Sequence, residues 1–199
     1  MGEHALTSPA GPSPPPLLRR AVFLDRDGVI NRTKIIEGKP YPPTSVDDFT
    51  LLPGVVEACQ RLKQAGLLLV VATNQPDVGR GTLRQEVVEM IHRHLCDLLP
   101  IDRVEVSYAG GDEQPPSEFR KPRPGLLLRA SRELGIDLPR SYMVGDRWRD
   151  IDCGHAAGCT TFLVDYHYTE ALRLPPHYRV QNLFEAADII LGLERKRPG

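Results

Sequence analysis

Short apolar runs alternate with longer segments of helical spacing from about Arg20 to the end of the chain. The runs are rich in Val, Leu, Ile and Phe and do not alternate with polar residues, which is typical of strands buried on both faces of a parallel sheet. This order predicts an α/β fold of three layers, with a central parallel sheet and helices on both faces. The predicted strands begin near Ala21, Leu67, Arg103, Ser141 and Thr160.

The segments between these strands carry the spacing and the end signals of helices. Residues 55–65 place apolar side chains on one face, and Gly66 marks the end of that helix. A Thr-x-x-Gln pattern at 82–85 predicts a capping box and a helix to about residue 98. Small residues at 154–158 predict a helix that packs closely on the sheet and ends at a glycine. Further helices are predicted at 126–134 and 183–193, the latter with a possible edge strand at 188–191.

Polar side chains stand where the predicted strands end. Asp25 and Asp27 follow the first strand, and Asp146 follows the fourth. The carboxyl ends of parallel strands meet at one edge, where ligands bind in open α/β sheets. Asp25 and Asp27 point the same way, so they would repel each other unless a cation lies between them. Mg²⁺ is the expected cation, although for this pair alone acids solvated at a strand end are the alternative.

Groups suited to phosphate stand near these acids in the predicted fold. The Thr73 hydroxyl and the amides of Asn74 and Gln75 can hydrogen-bond phosphate oxygens without adding charge. Arg120 offers a planar fork and Lys121 a point charge. The sequence therefore predicts a phosphate site beside the acidic edge.

Asp-x-Asp, Thr, Lys and Asp at four strand ends, in this order, form a more specific signal than any one of them. The chain resembles the haloacid dehalogenase (HAD) superfamily of phosphohydrolases over about 20–193. Segments 25–31, 73–75 and 120–122 resemble its branch of heptose bisphosphate and histidinol-phosphate phosphatases. The resemblance implies a HAD-like, Rossmann-like fold. No insertion between the motifs is long enough for a large cap domain, so loops 33–47 and 110–119 are the expected rims of an open site.

The resemblance implies a phosphoryl transfer in two steps. Asp25 would attack phosphorus and form an aspartyl-phosphate, and Asp27 would protonate the leaving oxygen and then accept a proton from the hydrolytic water. Thr73 and Lys121 would hold the equatorial oxygens of the transition state. Mg²⁺ would bind the Asp25 carboxylate, the Asp27 backbone carbonyl, Asp146 and a phosphate oxygen.

Other polar residues near the motifs are weaker candidates. For Arg147, a solvated arginine at a helix start is an equal alternative to substrate binding. Asp150 is either a partner of the site residues or an acid in the first turn of a helix, and the second interpretation is favoured. The candidate substrate contacts are Asn31, Asn74, Gln75, Arg120 and Arg147.

The chain departs from its resembled branch in one loop. Relatives in that branch carry a Cys-x-His pair and a Cys-x-Cys pair that bind zinc before Arg-Lys-Pro. The corresponding positions here are Ser107-x-Ala109 and Ser117-x-Phe119, and none of these side chains is a good zinc ligand. No structural zinc is therefore expected, and the loop is expected to be ordered by Pro115, Pro116 and burial of Phe119.

The resemblance favours a small phosphorylated metabolite as substrate, with a heptose 1,7-bisphosphate losing its 7-phosphate as the first hypothesis. Histidinol phosphate or another small sugar phosphate is the alternative, and a free amine would need acids at the rim. A catalytically silent binding protein on the same fold is an alternative of another class. A phosphatase of nucleic-acid ends would need a basic groove with aromatic side chains, and aromatics make up only 6% of the chain.

Composition limits the class of protein and its partners. The 199 residues, 41% of them hydrophobic, suffice for one core, which predicts a single domain at 20–194 between a disordered proline-rich tail (1–19) and a short tail (195–199). A net charge of −1 offers no general attraction to nucleic acid or to acidic membranes. No apolar run reaches the length of a membrane helix. A cytoplasmic protein, monomeric or a small homo-oligomer, is expected.

The cysteines and several histidines are expected to be structural. Cys59, Cys96, Cys153 and Cys159 are scattered, which favours small buried hydrophobes over metal ligands or disulfides. A metal site at Cys153, His155 and Cys159 is the disfavoured alternative. His92 and His94 do not share a helix face, and His167 and His177 are expected at the surface.

Overall fold

The computed structural model describes residues 18–36, 39–113 and 116–197. The strands are β1 (Ala21–Leu24), β2 (Lys34–Ile36), β3 (Lys39–Tyr41), β4 (Leu68–Asn74), β5 (Arg103–Ser107), β6 (Tyr142–Gly145), β7 (Thr160–Val164) and β8 (Tyr178–Val180). The helices are α1 (Val55–Gln64), α2 (Pro76–Gly79), α3 (Gln85–Leu98), α4 (Gly125–Leu134), α5 (Trp148–Ala157) and α6 (Leu183–Lys196). Strands β2 and β3 pair as an antiparallel hairpin, and the other six form one sheet in the order β5-β4-β1-β6-β7-β8.

All pairings within the six-stranded sheet are parallel, and helices cover both faces. The side chains of Val22 and Leu24 pack into the core under α1, α3 and α6, whereas Ala21 and Phe23 pack into the core under α4 and α5. This two-sided burial is the reason why β1 is an apolar run without alternation. The three-layer α/β fold without a large cap domain is confirmed.

The order of strands places a crevice at the carboxyl end of β1. The chain runs from β1 outward to β4 and β5 and then returns to β6 on the other side of β1. The Asp25 N–H donates to the Val144 carbonyl of β6 at 2.9 Å, which joins the ends of the two strands. Such a switch point is where open α/β sheets bind ligands.

Two helices confirm their sequence patterns. In α1 the buried residues are Val55, Ala58, Cys59 and Leu62. Helix α5 ends at Gly158, which has φ 81°. A Cβ at Gly154 in α5 would lie 2.5 Å from the Thr161 Cγ2 atom and 2.9 Å from the Met143 Cβ atom. The small residues of α5 therefore let it approach β6 and β7 closely.

The predicted capping box at 82–85 is wrong. Helix α3 begins at Gln85, and its N-cap residue Arg84 makes no capping hydrogen bond with its side chain. The Thr82 hydroxyl instead donates to the Asp77 carbonyl at 3.1 Å, which closes the turn after α2. Thr82 therefore serves the preceding turn and cannot cap α3.

The predicted edge strand at 188–191 is also wrong, because α6 is continuous to Lys196. Asn182 caps this helix by accepting a hydrogen bond from the Glu185 N–H at 2.9 Å. The side chains of Leu183, Ala186 and Ile190 are buried at helical spacing. The edge strand is β8 instead, and the first residues assigned to a tail at 195–199 belong to α6.

The cysteine prediction holds for Cys59, Cys153 and Cys159, which are buried, but Cys96 is exposed on α3. The proline-rich tail lies outside the described residues up to position 17. Within the part of the chain that the structure describes, no helix combines the length and the apolar character needed to cross a membrane.

Candidate active site

Three carboxylates meet at the carboxyl edge of the sheet. Asp25 follows β1, Asp146 follows β6, and Asp150 lies in the first turn of α5. One oxygen from each of these carboxylates lies within 4.8 Å of the others. Carboxylate oxygens are the ligands that Mg²⁺ prefers, so this donor set fits the predicted ion.

Lys121 is the cation at the centre of this acidic cluster. Its Nζ atom lies 2.9 Å from Asp25 and 2.5 Å from Asp150. It also donates to the Ala72 carbonyl at 2.7 Å. Burial alone would lower the pKa of Lys121, but Asp150 and Asp25 raise it above its usual value. The buried lysine therefore stays charged.

One lysine does not neutralise all three acids. Burial raises the pKa of Asp25 to about 6, because the attraction of Lys121 is opposed by repulsion from Asp150 and Asp27. Burial and then the charges of Asp25 and Asp150 raise the pKa of Asp146 well above its usual range. A divalent cation would remove this conflict, which is a second reason why the residues fit Mg²⁺.

Asp27 lies beside this cluster and accepts several hydrogen bonds from nitrogen donors. The Arg26 Nη2 atom lies 2.9 Å from Asp27 Oδ2, and Arg26 Nε lies 3.3 Å from Oδ1. The Asn31 amide donates to Oδ1 at 3.0 Å and the Gln75 amide to Oδ2 at 2.8 Å. Burial works against ionisation, but Arg26 and these amides hold the pKa of Asp27 below its usual value.

Arg26 and His92 are residues of this site to which the sequence analysis gave no role. Arg26 is fully buried, and its Nη1 atom lies 3.1 Å from the His92 Nε2 atom. Burial and the charge of Arg26 lower the pKa of His92 to about 3, so its neutral ring accepts a hydrogen bond from Arg26. His92 shares a helix face with the buried Val88, Ile91 and Leu95, and that spacing is the signal that could have found it.

The three predicted substrate contacts that carry amide side chains all bind other residues of the site. Asn31 and Gln75 bind Asp27, as described, and neither lines the pocket above the acids. The Asn74 amide lines it but also exchanges two hydrogen bonds of 3.0 Å with the backbone of Lys121. Thr73, predicted to hold oxygens of the transferred phosphoryl group, is not among the residues that line this pocket. Its hydroxyl is buried and accepts a hydrogen bond from Gln75 at 3.0 Å.

Arg147 and Asp150 each fit both of the roles that the sequence left open for them. Arg147 lines the pocket, but its guanidinium also forms two hydrogen bonds with Glu170, at 2.8 and 2.6 Å. Asp150 accepts from the Arg147 N–H at 3.0 Å, as an acid in the first turn of a helix does. It also pairs with Lys121, so the interpretation favoured for Asp150 covers only part of its role.

A pocket of about 310 Å³ opens above the acids. Thr33, Tyr41 and Pro42 line one side, within the first predicted rim. Pro76, Asp77 and Arg80 of the turn around α2 line another side, which the sequence analysis missed. Of the residues described at 110–119, none lines the pocket, and Arg120 follows them directly.

Four arginines line this pocket, and three of them, Arg80, Arg120 and Arg149, form what we call the arginine rim. Burial and then the charges of Arg149 and Arg80 lower the pKa of Arg120, as expected where like charges are close. Two of these arginines form long ion pairs, with 3.5 Å between Arg80 and Asp77 and 3.7 Å between Arg149 and Glu170. The rim can therefore receive an anion.

The loop that departs from the resembled branch is joined to the site by Arg120, whose Nη1 atom donates to the Ala109 carbonyl at 2.7 Å. Phe119 is partly buried against the core under α4, with the Arg129 guanidinium 4.7 Å from its ring centre. Arg123 donates to the Pro116 carbonyl at 2.6 Å. Pro115 lies outside the described residues.

The fold, the strand-end acids and the buried lysine define a hydrolase of the HAD-like class, and the HAD-hydrolase-like family profile matches residues 118–186. The D-glycero-beta-D-manno-heptose-1,7-bisphosphate 7-phosphatase of Pasteurella multocida is 33% identical over 190 residues, 89% of this chain and 100% of that protein. The D-glycero-alpha-D-manno-heptose-1,7-bisphosphate 7-phosphatase of Burkholderia mallei is 35% identical over 155 residues, 73% of this chain and 79% of that protein.

A solved structure extends the likeness to the fold. The D,D-heptose 1,7-bisphosphate phosphatase of B. bronchiseptica, complexed with magnesium and phosphate, superposes with a TM-score of 0.75 at 29% identity. The match covers 87% of this chain and 99% of that one. The chain belongs to the heptose-bisphosphate phosphatase family of HAD-like hydrolases and is a phosphoric monoester hydrolase.

Proposed function

We propose that this chain removes the 7-phosphate of a D-glycero-D-manno-heptose 1,7-bisphosphate with the help of Mg²⁺. The observation that carries the proposal is an acidic floor and an arginine rim in one pocket. Asp25 and Asp146 line the floor, and the arginine rim lines the same pocket. A substrate with two separated phosphates matches both features, and the names of the relatives supply the sugar.

Asp25 is the proposed nucleophile. One of its oxygens forms a bond to phosphorus while the bond from phosphorus to the sugar oxygen breaks, which leaves an aspartyl-phosphate. Lys121 is 2.9 Å from Asp25 and would also stabilise negative charge on the transferred group. Mg²⁺, when bound by Asp25, Asp146 and the Asp27 carbonyl, would cancel the repulsion between the nucleophile and the phosphate.

Asp27 is the proposed general acid and base. Its donors favour the ionised carboxylate, which suits the second step. There it accepts a proton from the water that attacks phosphorus, while the bond from phosphorus to Asp25 breaks and inorganic phosphate leaves. The first step needs a protonated Asp27, because the departing sugar oxygen must gain a proton. A phosphate dianion beside Asp27 raises its pKa by repulsion, so binding of the substrate favours uptake of that proton.

The arginine rim favours a second phosphate over an amine. A free amine, as in histidinol phosphate, would need an unpaired carboxylate at the rim, but Asp77 there lies within 3.5 Å of Arg80. Hydrogen bonds to charged groups contribute about 1.5–3 kcal/mol each, or roughly 10–150-fold in binding. The kcat/KM for a heptose bisphosphate should therefore be higher than the kcat/KM for the corresponding heptose 7-phosphate by about that factor.

Phosphate release tests this proposal. The substrates to be compared in the presence of Mg²⁺ are both anomers of heptose 1,7-bisphosphate, heptose 7-phosphate, histidinol phosphate and common sugar phosphates, with Asp25→Asn as the blank.

Arg149→Met should reduce the preference for the bisphosphate over the 7-phosphate. Arg132→Met removes the same charge from an exposed position on α4 and should leave that preference unchanged. Equal rates on both heptoses would overturn the bisphosphate assignment, and release by Asp25→Asn would overturn the nucleophile.

We also propose that this chain folds without structural zinc. Ser107, Ala109, Ser117 and Phe119 offer no thiolate or imidazole, and backbone contacts of Arg120 and Arg123 connect the described parts of the loop. Elemental analysis of the purified protein should find far less than one zinc per chain. Stoichiometric zinc that survives dialysis would contradict this proposal.

A further inference from the structure

Two tyrosines in the segment after β7 reach back to the acidic edge from outside the substrate pocket. The rings of Tyr166 and Tyr168 stack with centres 5.6 Å apart. The Tyr166 hydroxyl donates to the Gly28 carbonyl at 2.9 Å, and the Tyr168 hydroxyl donates to Asp146 Oδ2 at 3.2 Å. The pair therefore joins the loop after β1 to the loop after β6.

Gly28 completes this arrangement on the side of β1. It has φ 84°, and a Cβ there would lie 2.3 Å from Asp146 Oδ2. Asp146 Oδ2 is thus held between the backbone of Gly28 and the hydroxyl of Tyr168. A carboxylate has two oxygens, so a phenol on Oδ2 leaves Oδ1 for a cation.

An ion pair and a backbone hydrogen bond hold the segment that carries the tyrosines. The Arg147 guanidinium lies 5.1 Å from the Tyr168 ring centre and binds Glu170 through two hydrogen bonds. Asp165 accepts from the N–H of His167 at 2.8 Å. His167 has φ 56°, a conformation that is costly for a residue with a side chain and persists where surrounding contacts hold it.

The position of the two rings separates them from the substrate. Neither tyrosine lines the 310 Å³ pocket above the acids. Both line a second cavity of about 410 Å³, which shares Asp146 and Arg147 with the first. The phenols therefore contact the groups around the acidic edge from the side away from the pocket.

We propose that Tyr168, supported by Tyr166, is a positioning residue for the metal site. Its hydroxyl orients the Asp146 carboxylate, and Tyr166 holds the neighbouring backbone of Gly28 against that carboxylate. Partners of metal-binding groups typically contribute about 10–100-fold to metal affinity. The inference rests on the proposed function, because it takes Asp146 as a Mg²⁺ ligand.

Calorimetric titration of Mg²⁺ into the full chain tests this inference. Tyr168→Phe removes one oxygen and should weaken the Kd for Mg²⁺ about tenfold. Tyr166→Phe should weaken it by a smaller factor. The matched control is Tyr178→Phe, which removes a phenol from β8, where the ring stacks on Phe162 at 4.7 Å, and should bind Mg²⁺ as the unmodified chain does.

A second measurement separates positioning from general damage. In assays of phosphate release, Tyr168→Phe should need about tenfold more Mg²⁺ for half-maximal rate but regain most of its kcat at saturating Mg²⁺. Its melting temperature without Mg²⁺ should stay within a few degrees of that of the unmodified chain. Unchanged Mg²⁺ affinity in Tyr168→Phe, or an equal loss in Tyr178→Phe, would overturn the inference.

The failure of the proposed function would look different. If the unmodified chain bound no Mg²⁺, or if Asp146→Asn bound it equally well, the assignment of the metal site itself would be wrong. If Asp146→Asn weakened Mg²⁺ binding but Tyr168→Phe and Tyr166→Phe bound Mg²⁺ as tightly as the unmodified chain, the metal site would be correct. The proposed role of Tyr168 would then be wrong.

Discussion

Single residues at the acidic edge carry charges that only their neighbours make stable. Lys121 is almost fully buried, which is costly for an ammonium group unless it is paired. Its contacts with Asp25, Asp150 and the Ala72 carbonyl use its three N–H donors. Arg26 depends in the same way on Asp27 and His92. The site therefore consists of mutually dependent pairs.

His92→Leu tests the pairing of Arg26. The substitution removes the acceptor 3.1 Å from the buried Arg26 Nη1 atom and leaves that donor unsatisfied. The free energy of unfolding should fall by about 1–3 kcal/mol, measured by urea denaturation. His92→Gln keeps an acceptor and should lose less. Equal losses in the two variants would show that packing, and not the hydrogen bond, stabilises this position.

Asp146→Asn tests the repulsion within the acidic cluster. Burial and the charges of Asp25 and Asp150 raise the pKa of Asp146 in the folded chain. An acid with a raised folded pKa contributes stability that is complete below its unfolded pKa, about 3.9, and is lost as pH rises through the folded value. Without Mg²⁺, Asp146→Asn should therefore melt at a higher temperature than the unmodified chain near pH 7.5.

The expected difference is about 2–4 °C, which corresponds to roughly 1 kcal/mol at this chain length. It should shrink as the pH falls toward 4, where both side chains are neutral, and Mg²⁺ should raise the melting temperature of the unmodified chain only. Thermal melts across this pH range provide the measurement. A difference that does not change with pH would contradict the account of repulsion.

At the scale of elements, the site is formed by residues at the ends of strands and at the start of a helix. β1 and β6 are neighbours in the sheet, so the residues that follow them, Asp25 and Asp146, meet without any long loop. Helix α5 then brings Asp150 and Arg147 to the same edge because it packs tightly against β6 and β7. The close approach at Gly154 is what sets the position of this helix.

Gly154→Ala tests this close approach. The new methyl group would lie 2.5 Å from the Thr161 Cγ2 atom, so α5 or β7 must shift. The free energy of unfolding should fall by about 1–3 kcal/mol in urea denaturation. Gly192→Ala in α6 is the matched control, because its nearest atom in the described surroundings, Arg195 Nη2, is 4.0 Å away. It should gain about 0.5–1 kcal/mol, and a similar gain in Gly154→Ala would contradict the packing account.

At the scale of the whole molecule, one sheet separates two cores that share every central strand. Val70 and Ala72 of β4 belong to the core under α4 and α5, whereas Leu69 and Val71 belong to the core on the other face. Neither core can persist if the sheet between them is lost. The two faces are therefore expected to unfold together.

We expect thermal unfolding in a single transition, with equal calorimetric and van't Hoff enthalpies. Mg²⁺ should move that transition to higher temperature without splitting it, because it binds the folded chain. Differential scanning calorimetry at several Mg²⁺ concentrations makes the comparison, and size-exclusion chromatography tests the predicted monomer or small homo-oligomer. Two separate transitions would contradict the single domain predicted at 20–194.

The sequence by itself determined the layers of the fold and the order of its strand-end motifs. Local signals suffice for these, because apolar runs mark strands buried on both faces and acids directly after them must lie at the carboxyl edge. The sequence did not decide between two local structures where a segment fitted both. Thr82 closes a turn and does not cap α3, and residues 188–191 continue a helix, because competing local patterns are resolved by packing.

Only the tertiary structure decided what surrounds each motif residue. Asn31 and Gln75 hold Asp27, His92 supports Arg26, and Tyr168 contacts Asp146 across 22 positions of the chain. The helical spacing shows that His92 is buried, and Asn31 is only four positions from Asp27, but which side chains these residues bind depends on the folded positions of their elements. The arginine rim and the raised pKa of Asp146 likewise arise from charges that folding brings together. The chemistry could be read along the chain, whereas its electrostatic setting required the folded molecule.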